Sequence, residues 1–442
     1  MSRRTILILV GLLLVGLGAW VFYQSRKAAQ IEQATGEKQT LLETLFPFAV
    51  PGAGGGSGTG TDNEPAPGTE TPGTEAPAAE RRLMRVTDKL VAGYTIVVPP
   101  APKTPAKKTV AAASQIATGP TYPTVRFMER GTGYIYDTDS KATKLSKSSG
   151  TVISRAAHAL FLNNGASVAV RYVKTDNVTV ATFLGAYVPA ATGATLGEVK
   201  GSFLPDGVLD IVALSDGKGI VALMPAGSGS AVFSMQADGS SRKQLLASPF
   251  MEWLLDQTAG GTVVTTKAAA GIPGYAYFVR TNNILEKIVG GIDGLTTKLS
   301  PDGKYMLYSS AASGKIALSA YSLKDRTTKA TGLSTLPEKC VWAADSLTAY
   351  CGATSALSGA TYPDDWYQGS ARFNDGIWKI DAKTGTTEQL TDGEGNFLDA
   401  TELSLDKDRK FLLFINKNDG TLWSLDLSPK PTETAIPALP SV

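Results

Sequence analysis

The chain has 442 residues and a formal net charge of +2, from 42 lysines and arginines against 40 aspartates and glutamates. This balance gives no indication of a nucleic-acid partner, for which an excess of basic residues is expected. The chain contains one histidine, His158, and two cysteines, Cys340 and Cys351. This low content argues against a zinc site and against a Ser-His or Cys-His nucleophile, and we expect no metal and no cofactor.

Residues 1–4 form a short N-terminal tail, and residues 5–23 form an uncharged run rich in Leu, Ile, Val and Gly. As a helix this run would span roughly 28 Å, close to the hydrocarbon thickness of a bilayer. Trp20, Phe22 and Tyr23 stand where an aromatic belt at the membrane interface is expected. We therefore predict an uncleaved transmembrane signal anchor, in preference to a cleaved signal peptide, whose apolar region is usually shorter.

The positive-inside rule places the N-terminus in the cytoplasm, because Arg3, Arg4 and the amino group narrowly outweigh Arg26 and Lys27. Residues 24–46 are predicted to form a juxtamembrane helix. Residues 47–82 are rich in Gly, Pro, Thr and Glu, and they are predicted to be a disordered linker. The rest of the chain would then lie outside the cytoplasm, in the periplasm or at the cell surface.

From residue 83 onward, short alternating apolar segments are separated by turn residues, a pattern typical of sandwiches, barrels and propellers. Residues 299–308 show the unit most clearly, because a Ser-Pro-Asp-Gly turn stands between two apolar runs. Related hairpins centre on Asn164, Asp206, Asp345 and Asp406. Their spacing is about 45 residues or twice that, except before Asp406, where an insert lengthens it. A period of this length with four strands per unit predicts a β-propeller.

We count seven blades over residues 83–428, while six or eight stay open because the first two repeats are degenerate. In the first repeat, Leu83–Thr87 is predicted to form an inner hairpin with residues 93–98, followed by a long loop over residues 99–123. Residues 429–442 would be a C-terminal tail. The predicted fold class is therefore all-β, a seven-bladed β-propeller preceded by one transmembrane α-helix and a disordered linker.

The Leu-Ser-Pro-Asp-Gly-Lys unit at residues 299–304 resembles the repeat of TolB-type, WD-repeat-like β-propellers. These include the periplasmic protein TolB and the propeller domains of prolyl-peptidase relatives. The resemblance extends over residues 83–427 and implies the propeller fold. It implies no single function, since such propellers bind partners, bind small molecules or gate enzymes. The prolyl-peptidase activity needs a hydrolase domain with a Gly-x-Ser-x-Gly motif, for which we expect no counterpart after the last blade.

Residues 353–375 lengthen the connection between the second and third strands of the sixth repeat. Long ordered loops on rigid scaffolds often carry function. Aromatic rings here could stack on a sugar or pack a peptide, and charged groups could bind hydroxyls or chain termini. In the alternative, Trp366 folds down to cap the blade, while Asp364 and Asp365 cap a turn. The candidate binding residues are Tyr362, Asp364, Asp365, Trp366, Tyr367, Arg372 and Asp375.

Cys340 and Cys351 flank the inner hairpin of the sixth repeat. If its loop consists of Asp345 and Ser346 alone, the two cysteines lie directly opposite each other on adjacent strands and can form a disulfide in an exported domain. A three-residue loop would break this register and leave two buried free thiols. His158 lies in an apolar inner strand, where a structural role is expected.

Together these features favour a non-enzymatic binding module that is anchored in the membrane and held outside the cytoplasm. Its partner would be an envelope protein, a peptide or a glycan, docked on the face that carries the insert. The alternative is an envelope hydrolase or lyase that uses carboxylates at the mouth of the propeller channel. An enzyme should cluster titratable groups at that mouth, whereas a docking module should expose an aromatic patch.

Overall fold

The computed structural model describes residues 82–98, 122–357 and 359–428. The predicted anchor at residues 5–23, the juxtamembrane helix at 24–46, nearly all of the linker and the C-terminal tail lie outside the described residues. Within the described part of the chain, no helix is long and apolar enough to cross a membrane. Helical structure there amounts to α1 (Asp364–Gln368) and a few short 3-10 turns.

The described residues form seven four-stranded antiparallel sheets, which confirms the predicted seven-bladed propeller. The first strands of most neighbouring blades contact each other around the ring, so they line a central channel. Blades one to four consist of β2 (Val91–Val97), β3 (Thr124–Glu129), β4 (Ile135–Asp139) and β5 (Leu145–Lys147); β6 (Ala156–Leu162), β7 (Ser167–Val173), β8 (Val180–Val188) and β9 (Glu198–Phe203); β10 (Asp210–Ala213), β11 (Gly219–Ala226), β12 (Gly229–Gln236) and β13 (Lys243–Ser248); and β14 (Trp253–Thr258), β15 (Gly261–Thr266), β16 (Pro273–Arg280) and β17 (Ile284–Asp293). Blades five to seven consist of β18 (Thr297–Leu299), β19 (Tyr305–Ala312), β20 (Lys315–Ser322) and β21 (Thr327–Ala330); β22 (Cys340–Trp342), β23 (Thr348–Thr354), β24 (Asp375–Asp381) and β25 (Thr387–Thr391); and β26 (Ala400–Leu405), β27 (Phe411–Asn416), β28 (Leu422–Asp426) and β1 (Leu83–Thr87).

The ring is closed by β1, which is the outermost strand of blade seven. It pairs antiparallel with β28 and places Leu83 opposite Leu425. The prediction that Leu83–Thr87 forms an inner hairpin with residues 93–98 is therefore wrong, because β2 pairs instead with β3. A local alternation of apolar residues looks the same in an inner and an outer strand, so only the distant partner decides which of the two forms.

The antiparallel strand order defines two faces of the disc. Connections between first and second strands, and between third and fourth strands, lie on one face, here called the turn face. Connections between second and third strands and between blades lie on the other, here called the insert face because residues 355–374 project from it. The described domain begins and ends on the turn face, where the Asp426 amide donates to the Arg82 carbonyl oxygen at 2.8 Å.

The turn residues of the repeat shape the turn face through local hydrogen bonds. Asp302 Oδ1 accepts from the Ser300 hydroxyl at 2.8 Å and from the Lys304 amide at 3.1 Å. Gly303 adopts a φ of +71°, a left-handed value that glycine takes without steric cost. The Asp302 amide also donates to Ser346 Oγ of the next blade at 3.2 Å. This turn therefore both closes its own hairpin and joins blade five to blade six.

Apolar side chains fill the space between adjacent blades, and between blades five and six they surround a disulfide. Leu307 and Trp342 pack in one cluster with Cys340 and Cys351. The two cysteines are paired in the register of β22 and β23, and a disulfide joins them with Cα atoms 4.0 Å apart. The hairpin loop covers residues 344–347, because the amide of residue 343 bonds to the carbonyl of residue 348. This loop is centred on the same point as the two-residue loop considered above, so it keeps the same register.

Replacing both cysteines by alanine is expected to lower the free energy of unfolding by about 2–4 kcal/mol, because the cross-link restricts the unfolded chain. The bond closes a sequence separation of 11 residues. Urea unfolding of the oxidised protein and of the double variant measures the difference. A reductant should weaken the wild type by a similar amount and leave the double variant unchanged. Equal stability of the two oxidised proteins would contradict the prediction.

Candidate functional site

The insert, residues 355–374, contacts blades on both sides of its own blade. Its helix α1 begins with Asp364, whose Oδ2 accepts the amide of Ala270 in blade four at 2.7 Å. On the other side, Lys417 of blade seven donates from Nζ to the Trp366 carbonyl oxygen at 2.5 Å. This path from blade four to blade seven brings the insert over the edge of the central channel.

The aromatic rings of the insert point inward. Tyr362 is 2% exposed and Trp366 is 5% exposed. Both pack on Phe373, with ring centroids 5.2 and 6.1 Å from its own. Leu336 and Ile316 belong to the same buried cluster. Neither of the two candidate rings presents a face to solvent, so Tyr362 and Trp366 serve as the core of the insert.

The charged candidate residues of the insert take three different positions. Asp365 closes the turn before α1, because its Oδ2 accepts the Thr361 amide at 2.6 Å, and Asp364 holds the insert to blade four. Asp375 is fully buried at the start of β24. Arg372 is exposed and is the charged candidate that stays available at the surface of the insert face.

A buried ionic cluster holds the insert to the propeller. The Lys339 side chain is fully buried, and its Nζ lies 2.7 Å from Asp375 Oδ2 and also contacts Asp399 Oδ1. Trp366 donates from Nε1 to Asp399 Oδ2 at 3.0 Å. Burial raises the pKa of Asp375 to about 6, against the opposing effect of the Lys339 charge. Buried charges that are paired and hydrogen-bonded in this way tolerate little displacement.

Lys339 and Asp399 are site residues that sequence reasoning missed. Each is a charge beside strongly apolar neighbours, in Lys-Cys-Val-Trp and in Phe-Leu-Asp-Ala respectively. A charge in such a setting indicates a buried pair, because an unpaired buried charge is costly. The two residues are 60 positions apart in the chain, so their pairing is not visible from spacing alone.

Tyr367 connects the insert to the channel edge. Its hydroxyl donates to Glu338 Oε1, and Glu338 Oε2 accepts from Thr296 Oγ1 at 2.8 Å. Burial raises the pKa of Tyr367 well above its usual value, and the charges of Glu338 and Asp210 raise it further. Asp210 begins the inner strand of blade three, so Tyr367 lies within electrostatic reach of the far side of the channel.

The inner strands bring titratable groups together in the channel. His158 of β6 lies 3.9 Å from Glu402 of β26, measured from Nε2 to Oε1. Enclosure by the channel wall lowers the pKa of His158 to about 4 and raises that of Glu402 to about 7, although solvent in the channel still reaches both side chains. The Tyr94 hydroxyl lies 2.7 Å from the backbone carbonyl oxygen of Glu402. Of these three residues, sequence reasoning had singled out His158 alone, and had expected it to be structural.

The exposed phenylalanines of the described residues lie on the insert face. Phe203, Phe250 and Phe397 are the exposed phenylalanines of the described residues, at 64%, 61% and 55%, and the strand order places all three on this face. Phe203 lines a groove of about 480 Å³ together with Tyr172 and Phe183. The three exposed rings stand at three separate connections, between blades two and three, three and four, and six and seven, and all three lie outside the insert.

No protein-family model and no curated protein matches this chain. Among solved structures, TolB from Acinetobacter baumannii is similar at 13% identity over 70% of this chain and 78% of that chain, with a TM-score of 0.39. The tricorn protease is 13% identical over 69% of this chain, with a TM-score of 0.32, and this chain spans 41% of its length. A chain of the Mitotic Checkpoint Complex is 10% identical, over 74% of this chain and 99% of that one, with a TM-score of 0.43. The fold is established by the seven sheets themselves, and these likenesses add no functional assignment.

Proposed function

We propose that this chain is an exported, membrane-anchored binding module that docks an envelope protein, a peptide or a glycan on its insert face. The observation that carries the proposal is the position of Phe203, Phe250 and Phe397, which are all exposed on that face. The three rings stand at separate blade connections of one face, where each can give a docked partner an aromatic contact.

The disulfide supports export. Cys340 and Cys351 are joined in the core between two blades, and structural disulfides persist in oxidising compartments outside the cytoplasm. The apolar run at residues 5–23 would supply the membrane anchor, and residues 47–82 would supply the tether. Because the described domain begins and ends on the turn face, a tether at its start would leave the insert face open to a partner.

The insert contributes mainly the shape of this surface and few aromatic contacts. Its rings are buried, and its backbone is tied to blades four and seven by the Asp364 and Lys417 hydrogen bonds. A surface held in this way binds with little loss of conformational entropy, because its side chains are already ordered. Among the candidate residues of the insert, Arg372 is the exposed group that would meet the partner.

Replacing both Phe250 and Phe397 by serine is expected to weaken capture of the partner at least tenfold. The measurement is quantitative mass spectrometry of proteins and glycans recovered with the full-length, detergent-solubilised chain from envelope extract. The matched control replaces Ile284 and Leu347 by serine, since these are apolar residues at 56% and 41% exposure on the turn face. Equal recovery by the two double variants would reject the insert face as the docking surface.

A hydrolase or lyase acting at the channel mouth is the second candidate, and the Glu402 carboxyl favours it. A carboxyl group with a pKa raised to about 7 is suited to general acid–base catalysis near neutral pH. Hydrolysis of envelope glycan by the wild type that is lost in Glu402→Gln would support this candidate. Equal turnover by the two proteins would rule out this catalytic function.

A further inference from the structure

Three neighbouring inner strands are irregular at the same level of the channel. The pairing register of β26 shifts between Thr401 and Ser404, that of β2 between Val91 and Gly93, and that of β6 ahead of His158. A bulge redirects the side chains that follow it, and bulges are frequent beside functional sites. The three bulges lie in blades seven, one and two, so one side of the channel departs from the regular propeller geometry.

Glu402 lies within the first of these bulges and has a strained backbone. Its φ is +51°, which is uncommon for a side chain of this kind and costs roughly 1–3 kcal/mol. The Tyr94 hydroxyl, 2.7 Å from the Glu402 carbonyl oxygen, helps to hold this conformation. The result is a carboxylate that projects from a rigid strand into the channel.

The Glu402 carboxylate and the His158 imidazole are both left without a hydrogen-bond partner among the described residues. Their nearest polar atoms are 3.9 Å apart, beyond hydrogen-bond distance, and the two side chains are 43% and 32% exposed. Both side chains are partly exposed, so small molecules in solvent can reach them. An open carboxylate and an open imidazole nitrogen facing one space are therefore available to a ligand.

Two cations act electrostatically on the Glu402 carboxylate. Arg130 and Lys298 are close enough to Glu402 for their charges to lower its pKa, and neither has a carboxylate oxygen within 4.0 Å in the described part of the chain. Asp256 also lies near Lys298 and balances its charge, while its carboxylate accepts the amides of Leu299 and residue 257. Arg130 lies beside the open pair, because its Nη2 donates to the Ala157 carbonyl oxygen at 3.4 Å, and it is the exposed cation of the two.

We propose that this side of the channel binds a small carboxylate that also carries hydroxyl groups. Arg130 and Lys298 would bind the carboxylate of the ligand, and the planar guanidinium suits a two-oxygen contact. The ligand hydroxyls would donate to the Glu402 carboxylate and to His158 Nε2. The single negative charge of such a ligand complements the Arg130 guanidinium, which has no carboxylate partner in the described part of the chain. This proposal uses none of the residues assigned to docking on the insert face.

Isothermal titration calorimetry of the full-length, detergent-solubilised protein tests the proposal with three probes. Glucuronate carries a carboxylate and hydroxyls, glucose lacks the carboxylate, and acetate lacks the hydroxyls. Glucuronate is expected to bind at least tenfold more tightly than glucose or acetate. Glu402→Ala and Arg130→Gln are each expected to weaken glucuronate binding at least tenfold.

The matched controls are Glu394→Ala and Arg155→Gln, which should leave binding unchanged. Glu394 has a φ of +49°, like that of Glu402, and Arg155 is exposed. Arg130 is also exposed, so Arg130→Gln keeps the test decisive if Glu402→Ala does not fold. Absence of glucuronate binding to the wild type, equal binding by both site variants, or equal affinity for glucose would each overturn the proposal. None of these results affects the separate prediction that Phe250 and Phe397 bind the docked partner.

Discussion

Lys339→Met is expected to lower the free energy of unfolding by about 3–5 kcal/mol. The Lys339 ammonium is the charge that compensates Asp375 and Asp399, and all three side chains are fully buried. Methionine occupies a similar volume but leaves two carboxylates facing each other without a cation. Urea unfolding followed by tryptophan fluorescence and by circular dichroism measures the loss.

The control for this prediction is Lys304→Met. Lys304 pairs with Asp302 at 2.9 Å but is 72% exposed, and exposed pairs of this kind contribute about 0–1 kcal/mol. Asp375→Asn and Asp399→Asn, added to Lys339→Met, remove the uncompensated charge and should restore part of the lost stability. If Lys339→Met is as stable as Lys304→Met, the cluster does not hold the insert in place.

Trp366→Ala is expected to lower the free energy of unfolding by about 3–5 kcal/mol, the usual cost of removing a large buried aromatic side chain. The indole packs on Phe373 and donates from Nε1 to Asp399, so the substitution removes both apolar contact and a hydrogen bond. Hydrogen exchange should also become faster at the amides of residues 359–374, because the core of the insert is lost with the ring.

Gln368→Ala is the matched control for Trp366→Ala, because Gln368 is exposed at the end of the same helix. It should change stability by less than about 0.5 kcal/mol. Unchanged hydrogen exchange in Trp366→Ala would show that the ring does not support the insert. Loss of partner binding in Trp366→Ala would report a collapsed insert and would not identify the indole as a contact.

The seven-blade fold could be predicted because its signal repeats. The Ser-Pro-Asp-Gly turn at residues 300–303 has counterparts at Asn164, Asp345 and Asp406, which each join the first and second strands of a blade. The hairpin predicted at Asp206 is wrong, because Asp206 lies in the connection between blades two and three, where the same turn residues occur. The register of Cys340 and Cys351 could also be predicted, because the loop between them is symmetric. The role of Leu83–Thr87 could not, since its partner β28 lies at the other end of the domain.

The inward orientation of Trp366 and the position of Glu402 depend on contacts that no local pattern contains. Trp366 turns inward because Asp399 and Lys339, distant in sequence, supply a buried hydrogen-bond acceptor and its countercharge. Glu402 reaches the channel through a bulge, and a bulge breaks the two-residue alternation on which strand prediction rests. The residues of the candidate sites were therefore harder to predict than the fold that carries them.

The pairing of β1 with β28 decides how the domain responds to tension. Leu83 and Leu425 stand opposite each other, so the chain enters and leaves the ring at neighbouring points. A force applied between residues 82 and 428 would separate β1 from β28 by breaking their hydrogen bonds one after another. A pull between residue 82 and a partner held on the insert face would run along β1 and load its hydrogen bonds together. The propeller resists force best in the direction in which the proposed tether and partner would apply it.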